Sequence, residues 1–208
     1  MRNGILLVVA VAAAAITSSA SPEWRRVTFR PEIQPEGIAF SIWTLLFALG
    51  ILQGVYADME PSNVKAQIAA IWVAAAYFAC ALWALLPAMT ASGALCLMTA
   101  ASLATTGAFV AKPVSVLAEV SSSLFAGWLW TAASLGVILA EGKESVLNSQ
   151  WSLLVLSACT SILAVTLRLP YLPFPVLWAS LCQKVVCKSS VLLSLCVSAA
   201  GIATTLAR

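Results

Sequence analysis

The chain contains no histidine, and only 9% of its 208 residues are charged. Without imidazole, a histidine-built zinc site and a histidine-ligated haem are excluded. The six cysteines (Cys80, Cys96, Cys159, Cys182, Cys187 and Cys196) form no Cys-x-x-Cys pair. All lie in or beside apolar segments, where a thiol behaves as a small hydrophobe, so no metal centre is expected. The net charge is +3 with no block of basic residues, which excludes nucleic acid as a partner. Paired carboxylates, a phosphate-cradling glycine loop and a nucleophile beside a base are all missing. Serine and threonine are frequent, but with no histidine to activate a hydroxyl the chain does not read as an enzyme.

What is present is hydrophobic: 62% of residues, with a mean hydropathy of +0.98. A water-soluble domain of this length would lack the polar groups to cover its surface, so the excess apolar area must face lipid. A bilayer core takes about 20 apolar residues in a helix, and the charged residues divide the chain on that scale. The runs are continuous rather than alternating, which selects helices over a barrel. The expectation is an all-α, polytopic transmembrane bundle.

The pattern predicts a first apolar segment over 1–22, a polar connector over 23–36, and helices over 37–57, 66–86, 92–111 and 113–140. Further membrane helices fill 145–208. Two segments read in two ways. Residues 1–22 have one arginine, an apolar centre and small residues before Ser21, fitting a first transmembrane helix or a secretory signal. Segment 169–183 contains Pro170, Pro173 and Pro175 and fits either a short span or a re-entrant piece. Lysine and arginine fall almost equally on the two sides of the implied topology, so orientation is undecided.

One stretch has the character of a motif: Pro35-x-Gly37-x-x-Phe40-Ser41-Ile42-Trp43-Thr44. It resembles the loop and second-helix start of the TspO/translocator-protein family (tryptophan-rich sensory proteins), closest to its diverged bacterial and plant-type branch. SSSLFAGWLWTAASLG (121–136) is similar to the family's fifth-helix segment with its Gly-Trp pair. PVLWASLCQK (175–184) resembles a late Val-Trp-Ala stretch of the extended branch. The chain lacks the loop tryptophans of the family's better-known members, with Ile38 near the place of one. The resemblance implies a five-helix core ending near Ala140, two to three appended C-terminal segments, and the sensing, sequestering or moving of a tetrapyrrole or lipid-like molecule. It also implies that connector 23–36 serves as a lid, where Arg25, Arg26 or Arg30, beside Pro35, would meet the carboxylates of a porphyrin through paired donors.

Residue spacing adds its own expectation. Phe40, Trp43, Phe47, Gly50 and Gly54 follow steps of three and four and form one helical stripe. Gly50-x-x-x-Gly54 lets a second backbone approach closely, which offers helix packing and a homodimer face. Trp72, Tyr77, Phe78 and Trp83 offer a facing wall, and Phe125 and Trp128 a third side. Trp128 and Trp130 cannot point the same way. A cleft lined by Phe40, Trp43, Phe47, Trp72, Trp83, Phe125 and Trp128 would suit a flat apolar ligand such as a porphyrin or a sterol. Glu119 is the one carboxylate inside an apolar helix, with an interfacial or a proton-handling role open to it. A secondary transporter, drawing on the proline-broken segment, and a structural subunit of a larger membrane complex are the rival readings.

Overall fold

The computed structural model describes residues 3–20, 41–86, 90–112, 114–141, 152–182 and 189–207. Helix boundaries follow local chemistry. At the start of helix α1 (Asn3–Ala20), Asp58 Oδ1 accepts from the Gly4 amide at 3.1 Å and Gln67 Oε1 from the Asn3 amide at 3.3 Å. Two amides that the first helical turn leaves without partners are thus satisfied by side chains remote in sequence. Helix α2 (Ile42–Met59) continues past the predicted end at residue 57, and residues 37–40 lie outside the described set.

Helix α3 (Val64–Leu85) is capped by Asn63, whose side chain accepts from the Ala66 amide at 3.1 Å. That cap moves the start two residues before the expected one. Thr90 caps α4 (Ala91–Ala111) in the same way, accepting from Gly93 at 3.2 Å. Helix α5 (Val116–Glu141) begins later than residue 113, because the chain turns first, with the Val114 amide donating to the Ala111 carbonyl. Glu119 then falls in the first turn of α5 and is half-buried.

Helices α6 (Ser152–Leu167), α7 (Phe174–Leu181) and α8 (Ser189–Leu206) follow. Arg168 ends α6 with a positive φ of 54°, and the Leu169 amide closes back on the Ala164 carbonyl at 2.8 Å. This is a Schellman-type stop with arginine where glycine is usual. Pro173 and Pro175 sit at the start of α7, where their missing amides forfeit no helical bond.

The first five helices form a ring in the order α1, α2, α5, α4, α3. Helices α6 and α8 pair closely, and α7 joins them to α5. Ser157 of α6 is hydrogen-bonded to Ser194 of α8, and Ser161 of α6 donates to the Val197 carbonyl at 3.2 Å. Advancing along α6 thus means advancing along α8, so these helices are parallel. By Ser180 the described chain has returned to the level of Ser157, since Ser180 Oγ lies 3.2 Å from Ser194 Oγ, although α7 itself has only 8 residues.

Size is sorted in the reverse of a soluble protein. The interior of α3 and α4 is mostly alanine, including Ala70, Ala74, Ala101, Ala104 and Ala108, whereas Leu45, Leu52, Ile71, Leu82, Leu95 and Phe109 are exposed. Small residues inside allow close helix contact where lipid provides no hydrophobic drive, and the large aliphatic groups face the lipid. Helices α2, α3 and α4 are long and apolar enough to cross a membrane, and α1, α6 and α8 carry shorter apolar stretches. The protein is an all-helical integral membrane bundle.

Candidate ligand site

Five aromatic rings meet where α2, α3 and α5 converge. Tyr77 lies flat on Phe125, with ring centroids 3.9 Å apart and planes 12° from parallel. Phe47 stands 6.2 Å from Tyr77. Trp43 is 5.4 Å from Phe47, 6.4 Å from Phe125 and 6.2 Å from Trp128, the last at 90°. Stacked and edge-to-face pairs of this kind match the negative face and positive edge of aromatic rings. Tyr77, Phe125 and Trp128 are buried while Trp43 and Phe47 are half-buried. Three of the five rings are thus enclosed and two are partly accessible.

Two hydrogen bonds fix the helices that carry these rings. The Tyr77 hydroxyl donates to the Leu46 carbonyl at 2.8 Å, which ties α3 to α2. One helical turn beyond Gly50, Gln53 is 1% exposed. Its amide nitrogen donates to Ser122 Oγ at 3.0 Å, and that hydroxyl lies 3.2 Å from Gln53 Oε1. This pair ties α2 to α5. In lipid such a side-chain bond between helices contributes on the order of 0.6 to 2 kcal/mol.

The glycine stripe of α2 faces α1. A Cβ on Gly54 would come within 2.8 Å of the Gly4 carbonyl oxygen, and one on Gly50 within 2.8 Å of the Tyr77 hydroxyl and 2.9 Å of Val11 Cγ2. Helix packing by Gly50 and Gly54 is realised, but within the chain. The stripe that offers a homodimer face on sequence is taken up by α1.

The structure divides the predicted site residues. Trp43, Phe47, Phe125 and Trp128 come together as expected. Trp72 does not join them: it is 37% exposed, on the side of α3 where its Cβ lies beside Gly107 of α4. Trp83 is half-buried near Gly93, toward the start of α4. Eleven residues separate these tryptophans, so they fall near one face, but it is not the ring-bearing face. Tyr77 is the ring that α3 contributes. Trp130 turns away from Trp128, its indole donating to Thr105 Oγ1 at 3.2 Å. Phe40 and the lid residues Arg25, Arg26, Arg30 and Pro35 lie outside the described residues.

Tyr77, offered on sequence as part of the facing wall, and Gln53 also carry a signal other than aromatic spacing. Tyr77 is the single ring on the small-residue face of α3, between Ala70, Ala74, Ala81 and Ala84, all buried. Gln53 stands within the buried stripe of α2 beside Gly54, a polar group placed where only an internal partner can satisfy it. Among the described residues no cluster of potential metal ligands occurs. The chain matches no family model, no curated protein and no solved structure.

Proposed function

We propose that this membrane protein binds a small, flat hydrophobic ligand, a tetrapyrrole or sterol-like molecule, for sensing or transport. The observation that carries the reading is the ring cluster itself. Five aromatic side chains from three helices converge, with Trp43 and Phe47 left half-buried at the rim. Core packing alone would be met by the alanines and leucines found elsewhere in the bundle. Aromatic rings add flat contact area at low conformational cost, and the Trp43 indole supplies one directed donor. The motif at 35–44 and the Gly-Trp pair at 127–128, which resemble the TspO family, supply the two tryptophans that meet here.

The test is fluorescence titration of the purified full-length chain with protoporphyrin and, separately, with a sterol. Saturable tryptophan quenching that disappears in Trp43→Ala supports binding at the rim. Linear quenching, or saturable quenching unchanged by Trp43→Ala, removes this site.

Secondary transport draws on a different observation. The broken α7 lies against buried hydroxyls, with Ser180 Oγ 3.2 Å from Ser194 Oγ, itself bonded to Ser157. Discontinuous helices lined by oxygen donors hold coupling ions in transporters. Ion-driven uptake into liposomes without saturable ligand quenching would favour that reading.

A further inference from the structure

Three serines from three helices meet where α7 ends between α6 and α8. Ser157 of α6, Ser180 of α7 and Ser194 of α8 are each 0% exposed. Ser194 is hydrogen-bonded to Ser157, and its Oγ lies 3.2 Å from that of Ser180. Ser198, one turn further along α8, is equally buried, yet its hydroxyl has no hydrogen-bond partner. Thr160 and Thr205, on the same helices, donate to the carbonyl four residues back; Ser198 does not. We propose that this junction binds one sodium ion, with the hydroxyl oxygens of Ser157, Ser180, Ser194 and Ser198 among its ligands. Such a site deepens the transport reading, on which it rests, by naming the coupling ion.

A buried hydroxyl left without a partner marks the place of a water or an ion. Two features select the ion. The last carbonyls of a helix lack amide partners within it and carry a partial negative charge, and Ser180 stands in the last turn of α7. Transporters set the carbonyl end of a short, interrupted helix against a cation in this way. The spacing then selects sodium. Its size is close to that of calcium, whose oxygen ligands stand at about 2.3–2.6 Å, so neighbouring ligands lie about 3.3–3.7 Å apart. The 3.2 Å between Ser180 and Ser194 is near that range and too short for a larger ion such as potassium. Neutral hydroxyls also suit a single charge, whereas a divalent cation draws on carboxylates.

The packing of α6 on α8 holds these oxygens in place. A Cβ on Gly201 would lie 2.5 Å from Ser161 Oγ, so the missing side chain lets the two helices close. Ser161 then donates to the Val197 carbonyl at 3.2 Å, one turn from Ser157. Ser194 and Ser198, four residues apart, share the buried face of α8. The unpartnered hydroxyl therefore extends the serine cluster along the same face of the helix.

The experiment is thermal unfolding of the purified full-length chain in sodium, potassium or choline chloride at one ionic strength, beside equilibrium binding of radioactive sodium. Sodium should raise the unfolding midpoint saturably, and potassium and choline should not. Ser198→Ala is the decisive variant. If the hydroxyl is merely orphaned, its removal leaves the chain as stable or more so, with the sodium response unchanged. If it is a ligand, sodium affinity falls about tenfold or more, since even outer-shell partners of a metal matter on that scale. Ser194→Ala should act alike, and Ser180→Ala replaces it if Ser194→Ala does not fold. Trp43→Ala should leave the sodium response unchanged. Liposome uptake separates the two readings: sodium binding without ion-driven uptake supports the site and removes transport, whereas uptake driven by another ion, with no sodium response, removes the site alone. A midpoint shift shared by potassium and choline, no saturable sodium binding, or a sodium response intact in folded Ser198→Ala would overturn the proposal and leave a buried water as the partner of Ser198.

Discussion

Tyr77 joins the two kinds of force that hold the candidate site. Its ring stacks on Phe125 at 3.9 Å, and its hydroxyl donates to the Leu46 carbonyl at 2.8 Å. These contributions separate by substitution. Tyr77→Phe keeps the ring and removes one neutral hydrogen bond, so the expected loss is about 0.5–1.5 kcal/mol. Tyr77→Ala leaves a cavity under Phe47 and Phe125, and the expected loss rises to about 3–5 kcal/mol. Reversible unfolding in mixed micelles measures both, and equal losses would show that the hydroxyl, not the ring, dominates. Gln53 and Ser122 make a similar case across α2 and α5. A double-mutant cycle with Gln53→Leu and Ser122→Ala should return a coupling of about 0.6–2 kcal/mol. Additive effects would mean that the two side chains do not act as a pair.

At the scale of the element, the periodicity of α2 was legible. Its stripe of Trp43, Phe47, Gly50 and Gly54 faces inward as the steps of three and four require. The facing side of α3 was not legible from its tryptophans. In lipid both faces of a helix are apolar, so the size of a ring does not assign its face, and Trp72 went to the outside. The informative face was the one made of alanines, with Tyr77 among them. The breaks between α1 and α5 were also readable, because charges and prolines mark them, whereas the C-terminal part read as two to three segments; the arginine stop at Arg168 was not legible, since arginine gives no glycine-like cue to a positive φ. Among the packed elements, α1 has the clearest consequence. Leu7, Ala10, Val11 and Ala14 are buried in the core, Gly4 meets Gly54 backbone to backbone, and Asp58 caps the helix start. A helix so integrated is expected to be retained as a wall of the bundle rather than cut away as a signal segment. Mass spectrometry of the membrane-purified chain should recover peptides from Asn3–Ala20; a mature start after Ala20 would contradict this. Gly127→Ala is the corresponding test for α7. Its new methyl would meet the Leu172 carbonyl at 2.1 Å, so the chain before α7 must shift, at an expected cost of about 1–3 kcal/mol.

The whole molecule is two units joined at one seam: a ring of five helices, and a trio in which α6 and α8 run parallel with α7 returning between them. The seam is narrow because α7, at 8 residues, spans about 12 Å at 1.5 Å per residue, well short of a bilayer core of about 30 Å. Grooves therefore remain beside it, one against α2 and another of about 440 Å³ between Trp130 of α5 and Leu163 of α6. This geometry also predicts a path of the chain across the membrane, which the balanced charges leave open. Alternation through α1 to α6 places the α2–α3 turn and the end of α6 on one side, with the α3–α4 connection on the other. The parallel pairing of α6 and α8 then puts the end of α7 and the start of α8 on the same side as the α3–α4 connection. Single cysteines at Pro61, Thr90, Arg168 and Lys184, in a background with all six native cysteines replaced by serine, report this through a membrane-impermeant maleimide. Pro61→Cys and Arg168→Cys should label from the same side of sealed vesicles, and Thr90→Cys and Lys184→Cys from the opposite side. If Lys184→Cys labels together with Arg168→Cys, the 169–188 stretch turns back within the membrane, and the parallel pairing of α6 with α8 is wrong.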